Sequence, residues 1–222
     1  MKIGKVPESV LKRSLLRQLK SRRGEIIFGA GLGEDCAILA PGDGEVVLFS
    51  SDPVTGTGKD VAYYGIHASA NDIAAAGGEP VAVLLTLLLP PSCEEKELKA
   101  IMAQAEETCA SLHIQIAGGH TEVTDAVNRI GLTVTAIGKA AAGAPVATGT
   151  AKPDGDIVVT KWIALEGTSI AAKEREEQLR RRFPAYLVEA AKGFDKYLSI
   201  IPEAAVAGKY GVWAMPDVPE GG

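Results

Sequence analysis

The chain has 222 residues, with 23 Lys+Arg against 28 Asp+Glu, a formal charge of −5 and 46% hydrophobic residues. That composition belongs to a folded globular protein. Nucleic-acid binding needs a concentrated basic face, and the best local candidate, Arg17 to Arg23, reads as the end of an amphipathic helix. The longest apolar run, Val81 to Leu89, is about half of the ~20 residues of a membrane helix. No signal-peptide core follows Met1. Cys36, Cys93 and Cys109 are odd in number and widely spaced, which suits reduced thiols in a cytoplasmic protein and no structural zinc.

In chain order, Val10, Leu11, Leu15, Leu16 and Leu19 recur at helical spacing and predict an amphipathic helix over Pro7–Lys20. A glycine-rich passage, Gly29-Ala30-Gly31-Leu32-Gly33, leads to Asp35. Ala37–Ala40 and Val46–Ser51 read as two strands of a hairpin-like unit turning at Pro41-Gly42-Asp43-Gly44. A second glycine-rich loop, Thr55-Gly56-Thr57-Gly58-Lys59, precedes a small-residue helix over Tyr63–Ala76. Val81–Leu89 is a strand apolar on both faces. Ser92 and Glu95 form a capping box for a helix to about Ser111. Ile114–Ala117 is a short strand ending at Gly118-Gly119-His120-Thr121, and Arg129–Gly138 another strand. From Ala141 to Asp156 periodicity is lost, which divides the chain into domains at 1–147 and 148–222. Beyond it come a strand at Asp156–Thr160, a helix opening at Glu166 and a helix at Tyr186–Ser199. The class is α+β.

Asp35, Asp52 and Asp72 each stand outside a charge run, the first two at turns and the third within an apolar helix. Carboxylates converging from separate elements suit Mg²⁺, which takes oxygen ligands and completes its shell with water and phosphates. Asp35 and Asp52 equally suit turn or helix caps. Asp72 is costly to bury without a partner. The two glycine loops offer backbone N–H groups to a phosphate, with Lys59 adding charge, although neither has P-loop spacing and plain turns explain them as well. His120, after Gly118-Gly119, is a base, a phosphate partner or a surface residue; His67 and His113 read as structural.

In this order the motifs resemble the ATP-dependent superfamily of aminoimidazole ribonucleotide (AIR) synthetase. Its relatives are hydrogenase maturation factor HypE, thiamine-monophosphate kinase and selenophosphate synthetase. The resemblance rests on Gly33-Glu34-Asp35-Cys36-Ala37, Ser51-Asp52-Pro53, Thr55-Gly56-Thr57-Gly58-Lys59, Asn71-Asp72-Ile73-Ala74-Ala75-Ala76-Gly77-Gly78-Glu79-Pro80, Gly118-Gly119-His120-Thr121 and Thr160–Thr168. Its texture is nearest the hydrogenase-maturation branch. It implies a mixed sheet with helices on one side, pairing into a barrel across a homodimer, followed by the start of a second α+β domain. It implies ATP and Mg²⁺ as cofactors, with Asp35, Asp52 and Asp72 as metal carboxylates. Gly33, Lys59, Asn71, Gly118, Gly119 and Thr121 would line the nucleotide site, and Lys59 and His120 would serve catalysis. The reaction implied is phosphorylation of an amide or formyl-type oxygen on an acyl substrate; a nucleotide-binding or dimerisation module without turnover is the alternative. His120 departs from the acidic residue usual in the synthetase and in HypE. Ala214–Gly222 resembles a block from the middle of the family's second domain, with Pro216 and Pro219 where His and Thr are usual; it leads to the expectation that the chain is truncated there.

Overall fold

The computed structural model describes residues 2–32, 36–54 and 60–217. The N-terminal apolar stripe begins as α1 (Glu8–Val10) and widens over Leu11–Leu16, where Arg17 N bonds Lys12 O, five residues back, at 3.2 Å. The regular helix expected over Pro7–Lys20 is therefore shorter than its pattern. Arg13 and Ser14 on the wide turn both reach Glu95, at 2.5 and 2.6 Å. Glu95 is thus not the capping residue expected of it: the helix over 95–111 starts with Glu94 N donating to Glu97 Oε2 at 2.7 Å.

Short β1 (Gly4–Lys5), β4 (Glu45–Val54), β5 (Glu79–Leu89), β6 (Gln115–Val123) and β7 (Gly131–Ala141) form a five-stranded sheet in the order β1-β6-β5-β7-β4. β5 and β6 are parallel and the other pairs antiparallel. Two helices, α2 (Val61–Ala75) and α3 (Glu95–Ser111), cover one face. Ile66, Ile73, Leu85, Leu87, Leu98 and Val134 bury there in one core. This is a mixed-sheet α+β domain with its helices on one side. The hairpin expected from 37–40 and 46–51 does not form. β3 (Ile38–Leu39) instead pairs β2 (Ile26–Phe28), and the pair covers one end of the other face, around Val81, Ala82, Ala117 and Ile137. β4, released from the hairpin, runs on through Asp52 and Pro53 along β7.

Residues 148–217 carry helices and, among the described residues, no strand: α4 (Leu165–Glu174), α5 (Glu176–Arg180), α6 (Ala185–Lys192), a 3₁₀ turn (Gly193–Tyr197) and α7 (Ile201–Tyr210). The helix expected over Tyr186–Ser199 thus ends early, tightening at Gly193. The strand expected at Asp156–Thr160 is absent. A strand needs a neighbour for its N–H and C=O groups, and here Ile157 and Val158 stand 92% and 82% exposed. Side chains of α2 tie these helices down. Asn71 Nδ2 donates to Leu198 O at 2.9 Å and its Oδ1 accepts from Ile200 N at 3.0 Å. Tyr63 Oη donates to Asp195 O at 3.0 Å, and Lys173 Nζ bridges Asp60 and Asp195 at 2.8 and 2.6 Å.

Candidate active site: carboxylates between β4 and α2

Alternation along β4 sends Phe49 and Ser51 outward and Ser50 and Asp52 toward α2. On α2, Ser69 and Asp72 are three residues apart and so share a face. The two pairs meet. Ser50 Oγ lies 2.5 Å from Asp72 Oδ2 and 3.1 Å from Asp52 Oδ2, so one hydroxyl proton serves two carboxylates. Ser69 Oγ donates to Asp52 Oδ2 at 3.0 Å. Burial first, and then the charges of Asp217 and Asp52, push the Asp72 carboxyl up to about 6, although the Ser50 hydrogen bond works the other way. Burial, with the charge of Asp52, also raises Asp217. Crowded carboxylates hold protons that isolated ones release.

Asp217 was missed by reading the sequence. It lies in Ala214–Gly222, a block noticed for its likeness to the family, but only the return of the chain onto α2 brings it to Asp72. Of the other expected site residues, Gly33, Asp35 and Lys59 lie outside the described residues. Asn71 neighbours Asp72, yet both ends of its amide are engaged by main chain at 198–200.

The Gly118–Thr121 motif lies inside β6, not beyond its end as expected. The pairing slips at Ala117: Val83 opposes Ile116, and Leu84 opposes Gly118. Such a bulge reverses the alternation beyond it. Gly119 accordingly joins the row Asp52, Val134, Leu85, and Thr121 is buried opposite Leu87 on the helix side. His120 takes the open face, in the row Pro53, Thr133, Thr86, with its Nε2 3.2 Å from Glu122 Oε2. Three strand spacings, about 14 Å, and the sheet itself separate His120 from Asp52. Gly119 has φ +143°, and a Cβ there would stand 2.0 Å from Leu85 O, so only glycine fits.

As donors, Asp52, Asp72 and Asp217 suit a hard divalent cation, which would relieve the mutual repulsion seen at Asp72. Among the described residues, no group of three or more His, Cys, Asp or Glu side chains is placed so as to hold a metal ion. Two open depressions, of about 480 and 330 Å³, lie at the β6–β7 turn and beside Gly29–Gly31, and neither is lined by these carboxylates. No helix among the described residues is long and apolar enough to cross a membrane.

A one-sided mixed sheet with paired carboxylates between an inner-facing strand and the covering helix defines the class: an α+β domain with an oxygen-rich, acidic site. Residues 33–140 match the family "AIR synthase related protein, N-terminal domain". A putative hydrogenase expression/formation protein of Methanocaldococcus jannaschii is 28% identical over 174 residues, covering 75% of this chain and 51% of the relative. Among solved structures, thiamine-monophosphate kinase from Stenotrophomonas maltophilia aligns with TM-score 0.68 at 22% identity, over 94% of this chain and 66% of that one. Hydrogenase maturation protein HypE in complex with ATP aligns with TM-score 0.55 at 19% identity, over 68% of this chain and 44% of that one. The chain spans about half the length of the curated relatives it matches.

Proposed function

We propose that this chain is the nucleotide-binding part of an ATP- and Mg²⁺-dependent enzyme that phosphorylates an oxygen of an acyl-type acceptor, in the manner of hydrogenase maturation. The observation that carries the proposal is the meeting of Asp52 and Asp72 on one Ser50 hydroxyl, with Asp72 held protonated up to about pH 6. The ATP-bound state of a protein of the same fold supports the choice of nucleotide. Phosphoryl transfer is mostly positioning and charge neutralisation, and bound Mg²⁺ would supply the charge that neutralises the phosphates. Asp52 and Asp72, joined by Asp35, would hold the cation. Ser50 and Ser69 orient the carboxylate oxygens. Lys59 and the glycine loops, with Gly33, would take the phosphates. Asn71 and Thr121 hold the frame of the nucleotide site.

His120 faces away from this site, so a catalytic role needs a second copy over the open face. That face presents Phe49, Ser51, Thr86 and Thr135. A dimer in light scattering supports that arrangement, and a monomer removes His120 from the reaction.

The test is calorimetric titration with Mg²⁺ and a non-hydrolysable ATP analogue, wild type beside Asp72→Asn. Loss of one carboxylate is expected to weaken binding about tenfold or more. Without metal the sign reverses. A carboxyl whose folded pKa is raised to about 6 from its usual 3.8 contributes stability below its unfolded pKa and loses it as pH rises through about 6. Metal-free Asp72→Asn should therefore be at least as stable as wild type at pH 7, and flatter in stability between pH 4 and about 6. With ATP in place of the analogue, binding without ADP release in the presence of acyl acceptors would instead favour the module without turnover.

A further inference from the structure

Asp217 reaches Asp72 only because the chain after α7 turns back, and one side chain holds that turn. The Trp213 ring lies against Gly155, where a Cβ would stand 3.0 Å from Trp213 Cζ3. Lys152 Nζ sits 4.8 Å from the Trp213 ring centroid, on its face. The Thr150 hydroxyl, which also reaches Ala147 O at 2.5 Å, donates to Trp213 O. Three residues of the connection after the sheet domain thus hold Trp213, two against its indole and one on its main-chain carbonyl. From there Ala214, Met215 and Pro216 lead to Asp217, a reach of at most about 14 Å.

We propose that Trp213 is a positioning residue: clasped by Thr150, Lys152 and Gly155, it sets the Asp217 carboxylate against Asp52 and Asp72 and so governs the divalent-cation and nucleotide affinity of that site. The inference rests on the site reading above. The clasp ties the exposed stretch at 147–156 to the chain that follows α7. It also explains why an indole is held here although 48% of it remains exposed: the contacts secure the backbone that follows, not a core. A phenyl ring keeps the contact with Gly155 and the Lys152 contact in part; an alanine keeps neither.

The experiment titrates wild type, Trp213→Phe and Trp213→Ala with Mg²⁺ and a non-hydrolysable ATP analogue, each variant first shown to keep the wild-type far-UV circular dichroism and melting temperature. Trp213→Ala should bind about tenfold more weakly and Trp213→Phe within about threefold of wild type, the scale of changes in groups that orient a metal ligand. The chain has two tryptophans, so Trp162→Phe leaves Trp213 as the sole indole. Its emission should shift saturably along the same titration, and the shift should vanish in Asp217→Asn. Unchanged affinity in Trp213→Ala, or Trp213 emission that ignores a titration in which the chain binds, overturns the role of Trp213 and leaves the site reading standing. No binding by the wild-type chain overturns the site reading, and this role with it.

Discussion

The sheet domain and the helical segment after residue 156 solve the same problem differently. In the first, every strand of the main sheet has a neighbour, and Ile66, Val83, Leu87 and Leu132 vanish from solvent beneath two helices. In the second, a stretch just as apolar, Ile157-Val158-Val159, lies in water, and the helices hold on through polar ties to α2 and one small apolar cluster of Tyr64 with Leu165 and Leu198. Apolar residues do not make a strand; a partner for their backbone does. The candidate site lies where the two regions meet. Asp52 and Asp72 come from the self-sufficient part and Asp217 from the dependent part.

The sharpest way to break the first region is Gly119→Ala. The new methyl would stand 2.0 Å from Leu85 O, at a positive φ that side chains avoid, in the middle of a parallel pair. A loss of about 3 kcal/mol or more is expected, read as a lower denaturation midpoint. Gly118→Ala, one residue away, is the control. Its Cβ would meet only Leu84 Cδ2, at 3.3 Å and on the open face, and no positive φ is involved. Equal losses at both positions would remove the bulge from the explanation.

Next in size is the tie between the regions. Asn71→Ala deletes one donor and one acceptor that pair with Leu198 O and Ile200 N, leaving two main-chain groups to find water. The expected cost is about 1–2 kcal/mol, and it should fall on the helices. Hydrogen exchange at 195–201 should speed up while β5 and β7 stay protected. Uniform loss of protection would mean that the two regions unfold as one.

How much of this was legible follows from range. α2, α3, β5 and β7 announce themselves through periodicity, because their partners bury one whole face or both. Asp52 and Asp72 were legible as unusual carboxylates, and their meeting through Ser50 is consistent with that. What one dimension hides is pairing. The hairpin at 37–51 was inferred from a good turn, yet β4 has ten residues to match against β7 and only a few against its sequence neighbour. The bulge at Ala117 leaves no sign in composition, yet it decides that His120 faces away from Asp52. The strand at 156–160 was read from β-branched residues alone, which describe a surface that fits a sheet and not the sheet itself.

That last misreading supplies the smallest and most discriminating test. Ile157 and Val158 are 92% and 82% exposed, so replacing both with serine removes almost no burial. The stability of the chain should change by less than about 0.5 kcal/mol. Leu87→Ala, with its side chain fully buried beneath the helices, should cost about 3 kcal/mol in the same assay. The contrast in size is the comparison of the two regions put into numbers. If the serine pair costs more than about 1.5 kcal/mol, Ile157 and Val158 are covered in solution. Concentration dependence of the melting curve then tells what covers them: a second copy makes the loss grow on dilution, whereas cover within the chain leaves it constant. A near-zero cost at every concentration leaves the segment an unpaired edge, and places the stability of the protein in the sheet domain that carries Asp52 and Asp72.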